Sequence, residues 1–331
     1  MSAGQLLSVE GARRTARHLL SISDLADDEL RQLVRRGAEF AGGEVAPDHR
    51  PLEDRIVGIY FRKTSTRTRT GFSSGALRLG ARIITYGPDD LQENTGETTE
   101  DTTRVLSRML DGLVARTTGS MTELRTLADQ DRMAVVNAMS AVEHPTQALA
   151  DLTTLLRRFG EIDGLRLLYL GEGNNTAAAL ALALARFPGT ELHLATPPGY
   201  GLAPEILEAA AREARRCGAR VVERHDTSSL PPAVDVVYTT RWQTTGTSKA
   251  NPDWRSRFVP FRVGAKLMAH YPEAVFMHDL PAHRGEEVDA AVLDGPASIA
   301  FDQAENKLWS AMAVLEWCLA GGDGAADEPS R

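Results

Sequence analysis

Three short segments concentrate the side chains able to do chemistry. Phe61-Arg62-Lys63-Thr64-Ser65-Thr66-Arg67-Thr68-Arg69-Thr70 sets hydroxyl and guanidinium groups where an apolar run meets a helical stretch. The first amides of a helix are unpaired and its dipole is positive there, so such a junction attracts anions. Ser65, Thr66 and Thr68 add hydroxyl donors, and Arg67 adds a planar two-pronged donor matched to phosphate. This is the pattern of a phosphate cradle without the glycines of a P-loop; a Ser/Thr-rich helix cap with solvated arginines is the plainer reading. In Glu143-His144-Pro145-Thr146-Gln147-Ala148-Leu149-Ala150-Asp151, His144 and Gln147 stand three apart across the start of a helix, where both can project into one crevice. A neutral His donates to a carbonyl oxygen and a Gln amide holds a neighbouring amide, although a capping histidine beside an ordinary polar residue fits the same letters. His278-Asp279-Leu280-Pro281-Ala282-His283-Arg284-Gly285-Glu286-Glu287 follows a strand and carries a carboxylate where strand ends present ligand groups. A charged surface loop would read the same way.

The elements that must position these groups alternate. Ser23 and Asp24 offer N-cap oxygens to a first helix striped by Leu30, Leu33, Val34 and Phe40. Apolar runs at 56–61, 82–86, 112–116 and 133–137 predict buried strands, with helices at 72–79, 100–110 and 122–128 between them. A long helix from Pro145 to about Phe159 leads to strands at 165–170, 191–195, 220–223, 234–239 and 274–277 and helices at 176–187 and 204–217. The alternation predicts an α/β chain of two doubly wound parallel-sheet domains joined by the Pro145 helix, 1–145 and 146–302. An amphipathic helix over 303–320 is expected to pack back on the first domain, and the Gly/Ala-rich tail 321–331 to be disordered.

Composition narrows the function. At 331 residues with 42% apolar and 25% charged side chains, the chain is globular and long enough for two cores. The longest apolar run, Ala177 to Ala185, is far short of a membrane span, and Met1-Ser2-Ala3-Gly4-Gln5 lacks the basic start of a signal peptide, so a cytoplasmic protein without membrane contact is expected. Two cysteines, Cys217 and Cys318, suit free thiols and not a disulfide framework or a zinc site. A net charge of −8 argues against nucleic acid as partner; an anionic small molecule needs the local Arg cluster instead.

Taken together the segments resemble the carbamoyltransferase family, its ornithine branch more than its aspartate branch, over nearly the whole chain. Ser65-Thr66-Arg67-Thr68-Arg69 is similar to the family's carbamoyl phosphate motif, Arg116 to the arginine that ends the next motif strand, and His144-Pro145-Thr146-Gln147 to its His-Pro-x-Gln. The resemblance implies transfer of a carbamoyl group from carbamoyl phosphate to an amine, with no metal and no organic cofactor. It implies that the first domain binds carbamoyl phosphate through Ser65, Thr66, Arg67, Thr68, Arg116, His144, Gln147 and Lys307, and that the second binds the amine. Arg67, Arg116 and His144 are the implied catalytic residues, and Asp279, which departs from the family's motif near where the attacking amine should lie, is expected to join them. Gln92 stands at a position that reaches a neighbouring subunit's site, which implies a homotrimer.

The departures fall in the acceptor half. Ornithine enzymes carry Asp-x-x-x-Ser-Met-Gly after a strand, the Asp reading the α-ammonium; here the stretch is Thr240-Arg241-Trp242-Gln243-Thr244-Thr245-Gly246. Asp279 replaces the Cys of His-Cys-Leu-Pro, ahead of Leu280, and Lys307 replaces an Arg, exchanging a fork for a point charge. Asn174 and Asn175 remain to bind an acceptor carboxylate. The expected acceptor is therefore a small diamino acid other than ornithine, such as 2,3-diaminopropionate, or a diamine, against an ordinary ornithine enzyme with a divergent site. Two rivals lie outside this class. Gly171-Glu172-Gly173-Asn174-Asn175-Thr176 partly matches a dinucleotide turn, but its third glycine is Thr176 and no acid ends the strand 191–195. A non-catalytic carbamoyl phosphate or amino-acid binding protein is the other.

Overall fold

The computed structural model describes residues 16–244 and 248–320; residues 1–15, 245–247 and 321–331, and with them Met1 to Gln5, Thr245, Gly246 and the tail, lie outside the described residues. The first half contains α1 (Asp27–Gly42), β1 (Ile56–Phe61), α2 (Arg67–Arg78), β2 (Arg82–Tyr86), α3 (Thr99–Leu106), β3 (Gly112–Arg116), α4 (Met121–Ala128) and β4 (Ala134–Asn137). After α5 (Pro145–Phe159) come β5 (Arg166–Leu170), α6 (Asn175–Leu184), β6 (Glu191–Ala195), α7 (Pro204–Cys217), β7 (Arg220–Arg224) and β8 (Val236–Thr239). The chain ends with α8 (Trp254–Phe258), α9 (Ala265–His270), β9 (Val275–His278), α10 (Ala290–Leu293) and α11 (Ala300–Leu319). None of the described helices is long and apolar enough to cross a membrane.

Two all-parallel sheets result, ordered β2-β1-β3-β4 and β7-β6-β5-β8-β9. Their central strands are largely apolar because helices cover both faces: Val57, Ile59, Leu113, Val114, Leu167 and Val236 are all buried. The edge strand β2 has only helix-side cover and leaves Arg82, Thr85 and Ile84 exposed. Strand order reverses between β1 and β3 in one sheet and between β5 and β8 in the other, and such switch points open a crevice at the strands' carboxyl ends. Phe61 stands in register with Arg116 at the first, and Leu170 with Thr239 at the second.

Helix α5 spans the two halves. Pro145 at N1 needs no donor, Gly160 ends the helix at φ 80°, and every residue from Pro145 to Leu155 is buried. One apolar cluster consequently runs from Val57 and Ile59 through Leu149 and Leu152 to Leu167 and Tyr169. Helix α11 packs on α1, α2 and α5. Its approach to α2 depends on Gly71, where an added Cβ would stand 3.1 Å from the Lys307 carbonyl oxygen. The expected return of the last helix to the first half is thus observed.

Some boundaries differ from the sequence reading, each for a local reason. The helix expected from Phe72 starts at Arg67, since a polar Arg/Thr turn has no apolar period to betray it. Ser23 and Asp24 do not cap α1: they lie in a 3-10 turn capped by Ser21, and Glu29 reaches back to the Ala26 amide at 2.8 Å instead. The helix expected to run to Leu110 stops at Leu106. Helices α8, α9 and α10 were not anticipated, being too short to complete a periodic stripe.

Candidate active site

Both switch points and the start of α5 open on one cavity of about 270 Å³. The β1–α2 junction supplies one wall. Thr66 precedes α2 without a side-chain cap bond, so the first-turn amides are left to whatever the cavity holds. Ser65, Thr66, Arg67 and Thr68 all line the cavity, whereas Lys63 and Arg69 point to the exterior. Arg62 is spent on structure, its guanidinium held by Glu93 at 2.5 Å and Glu123 at 2.7 Å.

Arg67 and Arg116 are different. Neither has a carboxylate within 4.0 Å among the described residues, and the buried Nε of Arg116 has no hydrogen-bond partner there. Burial, then repulsion from Arg67, pulls the Arg116 guanidinium down to about 10 against the attraction of Asp279. Burial likewise lowers Arg67, again opposed by Asp279. Two guanidinium groups without a carboxylate partner in one crevice have the chemistry to hold a multiply charged anion.

His144, at the head of α5, is 5% exposed, and burial followed by the charges of Lys307 and Arg116 holds it well below its usual range. It is a neutral imidazole whose Nδ1 lies 3.2 Å from the Thr146 hydroxyl; with that hydroxyl as the donor, the ring proton sits on Nε2. Gln147 donates from Nε2 to Asp151 Oδ1 at 2.7 Å and accepts from Lys307 Nζ, which fixes which end of its amide faces which way. Asp151 also accepts from Gln303 Nε2 at 2.7 Å and Tyr238 OH at 3.1 Å. Burial raises Asp151 and lowers Lys307, while the attraction between them works against both shifts. The sequence reading missed Asp151, Tyr238 and Gln303 as supports of the site; only Asp151, one helical turn after Gln147, left a signal.

The second wall belongs to the other sheet. Asp279, following β9, accepts from Thr176 Oγ1 and Thr240 Oγ1, each at 2.9 Å. His278 Nδ1 lies 3.5 Å from Asp279 Oδ1, but the Leu280 amide donates to that same nitrogen at 2.8 Å while Nε2 faces Glu287 Oε1 at 3.2 Å. The Leu280 amide occupies that nitrogen, so His278 does not donate to Asp279. Leu280 holds a left-handed backbone, φ 51°, and lines the cavity beside it.

Asn174 accepts from the Thr176 and Ala177 amides at 3.0 and 3.1 Å, capping α6, and donates from Nδ2 to Thr244 Oγ1 at 3.1 Å. Asn175 donates to the Ser140 carbonyl at 2.7 Å and its own carbonyl accepts from the His144 amide at 3.1 Å, tying the two halves together. Thr244 donates to Glu172 Oε2 at 3.2 Å, and Glu172 pairs with Lys249. The Lys249 ammonium stands over the rings of Tyr200, Trp254 and Phe258 at 4.8 to 5.3 Å, an arrangement without a sequence signature. Gln92 is apart from the cavity: it is exposed, in a 3-10 turn, accepting from Thr95 Oγ1 at 2.8 Å.

Comparison with known proteins finds a family model in each half of the chain. Residues 17–157 match the family described as "Aspartate/ornithine carbamoyltransferase, carbamoyl-P binding domain", and residues 163–318 match its "Asp/Orn binding domain". An ornithine carbamoyltransferase of Thermococcus kodakarensis is 38% identical over 307 residues, 92% of this chain and 97% of the relative. One of Parafrankia is 40% identical over 312 residues, 92% and 96% of the two chains. The solved structure of the Pyrococcus furiosus ornithine carbamoyltransferase superposes with a TM-score of 0.85 at 36% identity, covering 93% of this chain and 98% of that one. A family match in each half, joined by relatives alike over almost their full length, means that the chain belongs to the aspartate/ornithine carbamoyltransferase family.

Proposed function

We propose that this protein moves the carbamoyl group of carbamoyl phosphate to an amine of a small diamino acid shorter than ornithine, with 2,3-diaminopropionate the leading candidate, and releases a ureido amino acid and phosphate. The donor half has the chemistry for it. Arg67, Arg116 and the α2 amides suit the phosphate dianion, the His144 Nε2 proton suits the carbonyl oxygen, and the Gln147 amide oxygen suits the carbamoyl NH2. The neutral amine attacks the carbonyl carbon, the C–O bond to phosphate breaks as the C–N bond forms, and the proton lost by the amine ends on phosphate. No metal or organic cofactor enters this balance.

The observation that carries the acceptor reading is the Thr240–Asp279 hydrogen bond at 2.9 Å. Where the ornithine enzymes carry an acid to read the α-ammonium, this chain has a hydroxyl, and that hydroxyl supports a carboxylate just after β9 whose charge attracts Arg67 and Arg116. A negative charge near the reacting carbon favours an acceptor whose two nitrogens lie close together. A short spacing also depresses one amine's pKa through the other's charge, raising the share of neutral nucleophile. Ornithine itself is the second reading, favoured by relatives of 38 to 40% identity that carry its name. A panel of ornithine, lysine, putrescine, 2,4-diaminobutyrate and 2,3-diaminopropionate with carbamoyl phosphate, scored by phosphate release and product mass, tests both. Ornithine used at least tenfold better than every shorter diamino acid refutes the shorter acceptor, and no ureido product with any amine refutes carbamoyl transfer.

We also propose a cytoplasmic homotrimer in which Gln92 completes a neighbouring subunit's donor site, supported by its exposure outside the cavity of its own chain. A monomer by light scattering at assay concentration contradicts it. The division into 1–145 with 303–320, and 146–302, is the proposed domain organisation.

A further inference from the structure

We infer that Thr176 is a positioning residue that holds the acid of the acceptor half away from the guanidinium groups of the donor half. This rests on the cavity being a carbamoyl transfer site and concerns how its two halves keep their charges apart. Asp279, Arg67 and Arg116 line one cavity, and the carboxylate attracts both guanidinium groups. Opposite charges sharing a partly desolvated crevice are expected to close on one another. Here they do not: among the described residues the only ionisable base within 4.0 Å of Asp279 is His278, whose Nδ1 is taken by the Leu280 amide. Two hydroxyls hold the carboxylate instead, one on each oxygen. Thr176 Oγ1 donates to Oδ2 and Thr240 Oγ1 to Oδ1, each at 2.9 Å. Both threonines are 2% exposed, which keeps water from competing for either bond. Thr176 is itself fixed, since it lies in the first turn of α6 and its amide donates to the capping Asn174 Oδ1 at 3.0 Å. Gripped in this way, the carboxylate cannot turn toward the arginines without giving up a buried hydrogen bond. The guanidinium groups stay open to phosphate and Asp279 stays open to the acceptor's ammonium. Released, the carboxylate would occupy the place of the phosphate and leave the acceptor without its counter-charge.

The test is calorimetric titration with inorganic phosphate, no amine present, in wild type, Thr176→Val and Thr176→Ser. Valine keeps the shape of threonine and removes the donor, so Thr176→Val is expected to bind phosphate about tenfold more weakly, on the order of what one hydrogen bond to a charged group supplies. Serine restores the hydroxyl and should bring the affinity back to within about threefold of wild type. The same Thr176→Val change made in an Asp279→Asn protein should alter phosphate affinity by less than about twofold, because no charge remains to swing across. A purely structural Thr176 would weaken phosphate equally in both backgrounds. Wild-type phosphate affinity in Thr176→Val overturns the inference, as does an equal loss in the Asp279→Asn background, and as does a serine variant no better than the valine one. Should Thr176→Val not fold, Thr240→Val, which removes the other hydroxyl, is read by the same comparison with Asp279→Asn. Phosphate binding needs no turnover, so a protein that gives the expected pattern yet makes no ureido product refutes the proposed function and not this inference. Product formation alongside an unchanged phosphate affinity in Thr176→Val refutes this inference and not the function.

Discussion

Replacing Arg67 by alanine should move activity and stability in opposite directions. In the folded chain Arg67 shares a crevice with Arg116, burial lowers both guanidinium groups, the charge of Arg67 lowers Arg116 further, and Asp279 attracts both at longer range. With carbamoyl phosphate bound, Arg67 is expected to make a two-pronged charge-assisted contact, each such hydrogen bond contributing about 1.5 to 3 kcal/mol. Losing the pair costs at least ~3 kcal/mol of transition-state binding, and at about 1.4 kcal/mol per decade that is more than a hundredfold in kcat/KM. The same deletion removes a like-charge neighbour from Arg116, which is buried and has no partner at Nε. The melting temperature should therefore stay level or rise, the usual sign when a residue is retained for function at the expense of stability. Steady-state kinetics with carbamoyl phosphate varied, paired with thermal melts with and without inorganic phosphate, checks both halves. Phosphate should raise the wild-type melting temperature and leave the variant's nearly unmoved. Turnover within threefold of wild type would refute the donor assignment, and a variant that melts several degrees lower would refute the argument that Arg67 is electrostatically uncompensated.

Asp279→Asn keeps the hydrogen bonds from Thr176 and Thr240 within reach but removes the charge, so the acceptor KM should rise or turnover fall by about tenfold or more, with carbamoyl phosphate KM nearly constant; equal kinetics for both substrates would leave Asp279 a loop support only. Thr240→Asp sets a second acid directly against Asp279, at the position where the ornithine enzymes carry theirs, and should shift the kcat/KM ratio toward ornithine, read from the same acceptor panel; an unchanged ratio contradicts the reading of Thr240 as a specificity position. Glu143 is buried, accepting from the Ile22 amide at 2.7 Å and Ser21 Oγ at 2.6 Å, and burial pushes its carboxyl from 4.5 up to about 7. A raised folded pKa gives stability that is complete below about 4.5 and lost as pH climbs through about 7, so Glu143→Gln should remove a decline in stability across that window. Thermal melts of both proteins from pH 5 to 8 that keep a constant difference would count against it.

Much of the site was legible in the chain because its pieces are local. An apolar run followed by Ser65-Thr66-Arg67-Thr68 specifies a strand, a turn and a helix start, and backbone amides at that junction face an anion whatever the rest of the protein does. Pro145 and Gly160 bracket α5 by their own backbone preferences, which fixes His144 at its head and Gln147 one turn in. Periodicity also distinguishes buried parallel strands from amphipathic helices, and strict alternation of the two leaves few topologies to choose among. It could not show which polar groups would meet. The hydrogen bond from Thr176 to Asp279 joins positions 103 residues apart, and the one from Lys307 to Gln147 joins positions 160 apart. Nor could it show that the two asparagines would be taken up by Thr244 and Ser140. Those pairings arise where strand order reverses in each sheet and the two crevices face each other across α5. Sequence period reports only which side of its own element a residue occupies; which charges face each other depends on how separate elements pack.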